Sequence, residues 1–191
     1  MKDENAIVLD YLEHGKPSGR KDEPLAQIIG KKYFNLLEVG VREGKHLKAH
    51  DEVYIGEGKR DDVKYIKGRI KKEKLTGTAK SELDYVLNDL IEENEDRFVN
   101  FFNNAQPITT RQHSLELIPS VGEKHMWEII EERDKEEFES FDDLQERVSL
   151  MPDPRKLLRK RIKKELEGGK KHYLFVPPPK SEDRDKFIQY D

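Results

Sequence analysis

No cysteine occurs in the 191 residues, which excludes a disulfide framework and a thiolate metal site. Nor does any apolar run approach the roughly 18 residues that a membrane-spanning helix requires. No secretory leader is expected either: Met1-Lys2-Asp3-Glu4-Asn5 is acidic, and only a short apolar run, Ala6 to Leu9, follows. Hydrophobic residues make up 34% of the chain against 40% charged ones, and the mean hydropathy is -0.94. Such a balance lies between a globular domain and a solvated chain. The expectation is a cytoplasmic protein with no membrane partner, folded as one domain or two small ones.

What is present is charge, and it is segregated. Residues 1–75 carry a net +3, residues 76–150 a net -12 and residues 151–191 a net +5, within a total of -4. For a polyanionic partner the local field over a patch within a Debye length, ~8–10 Å, counts for more than the total. Two basic flanks around an acidic middle therefore remain compatible with nucleic-acid binding.

The first segment reads as β. Ala6 to Leu12 is rich in strand formers and ends at His14-Gly15, after which 16–24 is a turn-rich loop with Pro17 and Pro24. Two short apolar runs flank Gly30 between Leu25 and Val41. Asp51 to Gly56 and Val63 to Gly68 complete a set of short strands separated by glycines. Strands at this spacing within about 70 residues favour a small barrel over a sandwich.

From Thr78 the period changes. Leu83, Val86, Leu87, Leu90, Ile91, Phe98, Phe101 and Phe102 follow the three-and-four spacing of one helical face. The pattern predicts a helix ending near Asn103–Pro107, with an acidic solvated face and a cap at Ser81 and Asp84.

Leu115-Glu116-Leu117-Ile118-Pro119-Ser120-Val121-Gly122-Glu123-Lys124 then sets a Pro-x-x-Gly turn between two helical patterns. Consecutive backbone N–H groups at the start of the second helix, aided by its dipole, make a natural phosphate seat. Lys124 adds a full charge there. These residues resemble the helix-hairpin-helix motif, with Pro119, Gly122 and Lys124 matching and Ser120 standing where glycine is usual. Phe138 to Leu144 resembles the connecting segment of tandem copies, with Ser140 and Asp143 as a cap pair. A second hairpin is expected at Met151–Lys156, lacking the glycines that phosphate binding requires.

The run Thr78-Ala79-Lys80-Ser81-Glu82-Leu83, and above all Phe101 to Arg111 with its Asn-Ala-Gln-Pro-Ile-Thr-Thr-Arg, extends the likeness. Over about residues 5–176 the chain resembles an uncharacterised, largely archaeal family of predicted RNA-binding proteins of unknown function. The resemblance implies an α+β chain: an OB-like barrel over 1–75, then a helix-hairpin-helix-like helical domain over 76–170. Residues 171–191 would be a partly disordered extension, in which Tyr173 to Val176 could add a strand or dock on the core before the Pro177-Pro178-Pro179 tail. No activity comes with it.

Candidate contacts follow from the basic stretch of the barrel. Lys59, Arg60, Lys64, Lys67, Arg69, Lys71, Lys72 and Lys74 fall within sixteen residues, and Tyr65 lies among them, with Tyr33, Phe34 and Tyr54 on neighbouring strands. OB barrels bind single strands with aromatic platforms and a basic groove. The alternative is that Tyr54 and Tyr65 pack in or cap the barrel over a solvated lysine face. A second basic element spans Arg155 to Lys164, including Arg159, with Leu158, Ile162 and Leu166 on its apolar side. Against it stands intramolecular pairing with the acidic middle. His46 and His50 are four apart, a metal-compatible spacing only on a helix, and Gly44 precedes them. No phosphate-loop or nucleophile-elbow pattern occurs.

The expected function is therefore non-catalytic binding of RNA, favoured over single-stranded DNA, with no cofactor and no metal. Arg60, Lys64, Tyr65, Lys67, Arg69 and Lys71 would contribute from the barrel. Ser120, Val121, Gly122 and Lys124 would seat a phosphate, and Arg155 and Arg159 would extend the footprint. The competing expectation is a scaffold whose acidic helices bind a basic component of a ribosome or other ribonucleoprotein, with the hairpin purely structural.

Overall fold

The computed structural model describes residues 2–16 and 23–179. The expected Pro17 to Asp22 part of the loop and the tail beyond Pro179 lie outside those residues. The chain groups into two compact units. One is built from the chain up to Val86 and again from Glu165, the other from Leu87 to Lys164.

In the first unit, five strands form one antiparallel sheet: β1 (Asn5–Leu12), β2 (Leu25–Gly30), β3 (Leu36–Val41), β4 (Glu52–Tyr54) and β5 (Val63–Arg69). Their order is β4-β1-β2-β3-β5, which leaves β4 and β5 as edges. The sheet is a curled half-barrel. Alternation along the strands fills its concave side with Val8, Ile28, Val39, Val41, Val53 and Val63. The other face carries a buried polar pair, Gln27 opposite Glu38.

Bulges bend the sheet. Leu9 is the extra residue of β1, set against Ile28 and Gln27 of β2. Lys67 and Lys64 are the extra residues of β5, at its two register shifts against β3. Lysines and bulges on an edge strand also block unwanted strand addition.

The chain leaves β5 through a 3-10 turn at Lys72–Lys74 and enters α1 (Gly77–Glu93). Thr76, not the expected Ser81, begins this helix. Its Oγ1 accepts from the Ala79 N–H at 3.0 Å and donates to Asp10 Oδ2 at 2.6 Å. Gln27 fixes the same junction, accepting from the Thr76 N–H and donating to the Lys74 carbonyl. A buried side-chain amide thus ties sheet to helix.

The single helix expected from the apolar period is two: α1 and α2 (Glu95–Asn104). The break is at Asn94, whose side chain donates to the Leu90 carbonyl at 2.7 Å and whose backbone leaves the helical region. Local side-chain competition of this kind interrupts a helix without disturbing its apolar face.

Past α2 a small hairpin, β6 (Pro107–Thr109) and β7 (Gln112–His113), leads to a 3-10 turn at Ser114–Leu117. The expected first helix of the Pro119 turn is only this turn. The second is a true helix, α3 (Glu123–Lys135), followed by α4 (Phe141–Arg147) and α5 (Pro154–Leu166). Ser140 caps α4 as expected, accepting from the Asp143 N–H at 3.0 Å. Leu158 and Ile162 of α5 are fully buried.

The segment after α5 is not loose. The buried Glu165 carboxylate accepts from the N–H groups of Leu174, Phe175 and Val176 at 2.7–2.9 Å. Tyr173 to Val176 are all buried. The expected extension from 171 therefore belongs, as far as Pro179, to the first unit.

Candidate nucleic-acid interface

The basic run of β5 divides into residues that are spent internally and residues that face solvent. Arg60 donates through Nε to the Gly56 carbonyl at 2.8 Å. Arg69 is bound to the carbonyls of Pro177 and Pro178 at 2.7 and 3.0 Å. The Tyr65 ring lies against Gly40, where an added Cβ would sit 2.4 Å from Cε1, and its hydroxyl donates to Glu23 at 2.7 Å. One ring face and the hydroxyl are thus committed to packing. Lys67 pairs with Glu38 at 2.9 Å while remaining half-exposed. Lys64 is exposed at its bulge.

Where β5 ends, the charges converge. Lys71, Lys72 and Lys80 line a cleft of ≈190 Å³ together with Glu73 and Glu167. Lys72 binds Glu167 at 2.9 Å, and Lys71 stands 3.8 Å from Glu73. Three ammonium groups against two carboxylates give a small concave surface with one excess positive charge. Its size suits a phosphate group. The α1 register brings in Lys80, a residue that lies outside the basic run; its place one turn into a helix following that run was the signal for it.

In the second unit, the turn before α3 has the geometry of an amide cradle with one member removed. Ser120 is in the left-handed region, φ 68°, where glycine is favoured. The Val121 N–H is already donated to the Ile118 carbonyl at 3.0 Å, and Val121 itself is buried. It therefore offers no amide to a ligand, contrary to the expectation. The first helical bond runs from the Met126 N–H to the Gly122 carbonyl. That leaves the amides of Glu123, Lys124 and His125 at the helix start. Nothing lies within 4 Å of a Cβ placed on Gly122, so the approach is open. Lys124 is exposed beside Glu123, whose charge opposes an anion.

The second turn repeats the first, in a different register from the one expected. Leu150 is also left-handed, φ 56°, and the Met151 N–H donates to the Val148 carbonyl at 3.2 Å. Val148 to Met151 is thus the counterpart of Ile118 to Val121, rather than Met151 to Lys156. Glu128 of α3 links to it, accepting from the Ser149 N–H at 2.7 Å.

Arg155 and Arg159 of α5, the two expected to extend the footprint, are both engaged within the chain. Arg155 stands within 3.1–3.8 Å of carboxylates of Glu92, Asp142 and Asp153 and over the Phe141 ring. Arg159 donates to Asn88 at 2.8 Å. His46 and His50 do not share a site: His46 lies near Glu13, and His50 meets Glu82 at 2.6 Å. No helix of the described residues is long and apolar enough to cross a membrane.

Residues 2–177 match the model of a family described as a protein of unknown function, DUF655. The chain belongs to that family. An uncharacterised protein of Methanocaldococcus jannaschii, MJ0038, is 48% identical over 173 residues, covering 90% of this chain and 78% of that one. The crystal structure of Af1531 from Archaeoglobus fulgidus, also of the DUF655 family, superposes with a TM-score of 0.84. It is 46% identical, over 91% of this chain and 99% of that one. Family membership thus carries the half-barrel and the five helices and leaves the activity to be argued from side chains.

Proposed function

We propose that this protein binds RNA without catalysis, with the first unit as an OB-like module and α3 and its preceding turn as one half of a helix-hairpin-helix-like pair. The observation that carries the reading is the cleft of Lys71, Lys72 and Lys80 at the end of the bulged basic strand β5. A groove that tracks a backbone needs exposed ammonium groups in series, and Lys64 and Lys71 supply them along one strand and its exit, with the half-exposed Lys67 between them paired to Glu38. Lysines act there as point charges for phosphates, without geometric demand on sequence. In the second unit, the amides of Glu123 to His125 and the Lys124 side chain would seat one phosphate, with Ser120 and Gly122 keeping the approach open.

The test is a filter-binding comparison of single-stranded RNA with the wild type and with Lys71→Ala, Lys72→Ala and Lys80→Ala combined. Lys71 and Lys80 are exposed and Lys72 is partly buried against Glu167, so the urea midpoint of the variant is compared with that of the wild type first. Loss of up to three phosphate contacts weakens binding by roughly tenfold or more at low salt. Equal affinity would contradict the assignment of this cleft.

A second reading is favoured by the consumption of Arg155 and Arg159 in contacts within the chain. On it, the second unit is a scaffold that presents acid to a basic component of a ribonucleoprotein. Lys124→Ala with Gly122→Glu separates the two. The RNA reading expects weaker RNA binding, whereas the scaffold reading expects no change in RNA binding.

A further inference from the structure

A second cleft in the first unit, apart from the lysine cleft, has a volume of ≈480 Å³. It lies where β1 begins, β2 turns into β3, and β4 begins. Its walls include Tyr33, Asn5, Lys2, Lys31 and Lys32, with Glu4 and Glu52 as the acids.

The turn that presents Tyr33 is unusually well fixed. The buried Asp3 carboxylate accepts from the N–H groups of Lys32 and Tyr33 at 2.9 and 2.7 Å, and from the Asn35 side chain at 2.7 Å. Gly30 is required beneath it, because an added Cβ would sit 2.0 Å from that carboxylate. Phe34 anchors the turn from inside: it is wholly buried in the left-handed region, φ 55°. A bulky residue held in that conformation marks a turn whose shape is set by its surroundings. Tyr33 is therefore pre-positioned, and ordering it for a ligand costs little entropy.

The chemistry of the walls selects the ligand. The Lys32 ammonium lies over one face of the Tyr33 ring, 5.4 Å from its centroid, so a base stacks on this ring opposite Lys32 or in its place. Lys31 pairs with Glu52 at 2.9 Å, and Lys2 pairs with Glu57 at 3.1 Å through two strongly exposed side chains. Exposed pairs of that kind exchange readily for an incoming anion. Three lysines meet three acids here, Glu4, Glu52 and the Glu57 that pairs with Lys2, so the cleft gains one free ammonium group only as an anion displaces Glu57, which favours the single charge of a phosphodiester over the several charges of a free nucleoside triphosphate. Asn5 is exposed at the rim and carries both a donor and an acceptor for a base edge.

We infer that this cleft holds one unstacked nucleotide of a single-stranded RNA, its base on Tyr33 and its phosphodiester against Lys2 and Lys32. The inference rests on the RNA-binding reading and names the strand state it requires, since a base within a duplex cannot reach the ring.

The test measures binding of a short fluorescein-labelled oligouridylate to the full chain by anisotropy. Loss of a stacked base weakens binding roughly 5- to 100-fold in Tyr33→Ala, whereas Tyr33→Phe, which keeps the ring, stays within about twofold of wild type. Lys2→Ala with Lys32→Ala, at two exposed positions, weakens binding as well and serves should Tyr33→Ala not fold. Excess UTP leaves the complex intact. If Tyr33→Ala folds and binds as tightly as wild type, the cleft is not the subsite, while the RNA reading stands. Displacement by UTP at matching concentration would overturn the phosphodiester assignment. A wild-type protein that binds no oligouridylate would remove the RNA reading and the inference together.

Discussion

Glu38 is the centre of the polar face of the half-barrel. It is 3% exposed, yet it pairs with Lys67 at 2.9 Å and with Lys16, and it lies 3.5 Å from the Gln27 amide. Burial alone would raise the pKa of its carboxyl, but the hydrogen bonds from Lys16, Lys67 and Gln27 and the Lys16 charge outweigh it and hold the value below the ordinary one. An acid depressed in the folded state stabilises the fold above its unfolded pKa, about 4.3 for Glu. That stabilisation is lost as pH falls through the folded value. Glu38→Gln should therefore lower the urea midpoint at neutral pH and flatten the loss of stability below about pH 4.3. Parallel stability curves for the two proteins would contradict this. Lys67 illustrates the limit of sequence at this scale. The basic run was legible, but its division into an ion pair at Lys67, a capped Arg69 and an exposed Lys64 depended on distant partners, Glu38 for Lys67 and the Pro177 and Pro178 carbonyls for Arg69. Tyr33 was noticed as an aromatic, but its presentation by Asp3, 30 residues away, left no local pattern.

At the scale of elements, the five strands were legible because glycines and prolines punctuate short β-branched runs, and tertiary contacts did not override that pattern. The break between α1 and α2 was not legible, because the apolar period continues across Asn94 and a single side-chain hydrogen bond makes the interruption. The hairpin turns lay between these cases. Pro119 and Gly122 marked the first turn, but the left-handed residues are Ser120 and Leu150, neither of them glycine. A left-handed non-glycine residue costs roughly 1–2 kcal/mol, and glycine gives back roughly 0.5–1 kcal/mol of that through its greater freedom when unfolded. Ser120→Gly and Leu150→Gly should each raise stability by about 0.5–1 kcal/mol in urea unfolding. Loss of stability at both positions would mean that these side chains hold the turns in a way their exposure does not show.

At the scale of the whole molecule, the segregation of charge was the most useful property of the sequence, and the anchoring of the segment from Tyr173 to Pro179 was the least accessible. The acidic middle falls largely in the second unit, where it meets Arg147 and Arg155. The return of the chain to the first unit is held by Arg69 of β5, which donates to the Pro177 and Pro178 carbonyls, while the buried Glu165 carboxylate shapes the segment before them through three consecutive amides. No composition rule announces such a contact. The central claim concerns a polyanion, and counterion release reads it most directly. Affinity for single-stranded RNA, measured by filter binding across a salt series, should fall with a log–log slope steeper than about -2, on a scale of ~0.7 per phosphate neutralised. Absence of binding at low salt, or binding that salt leaves unchanged, would contradict the account.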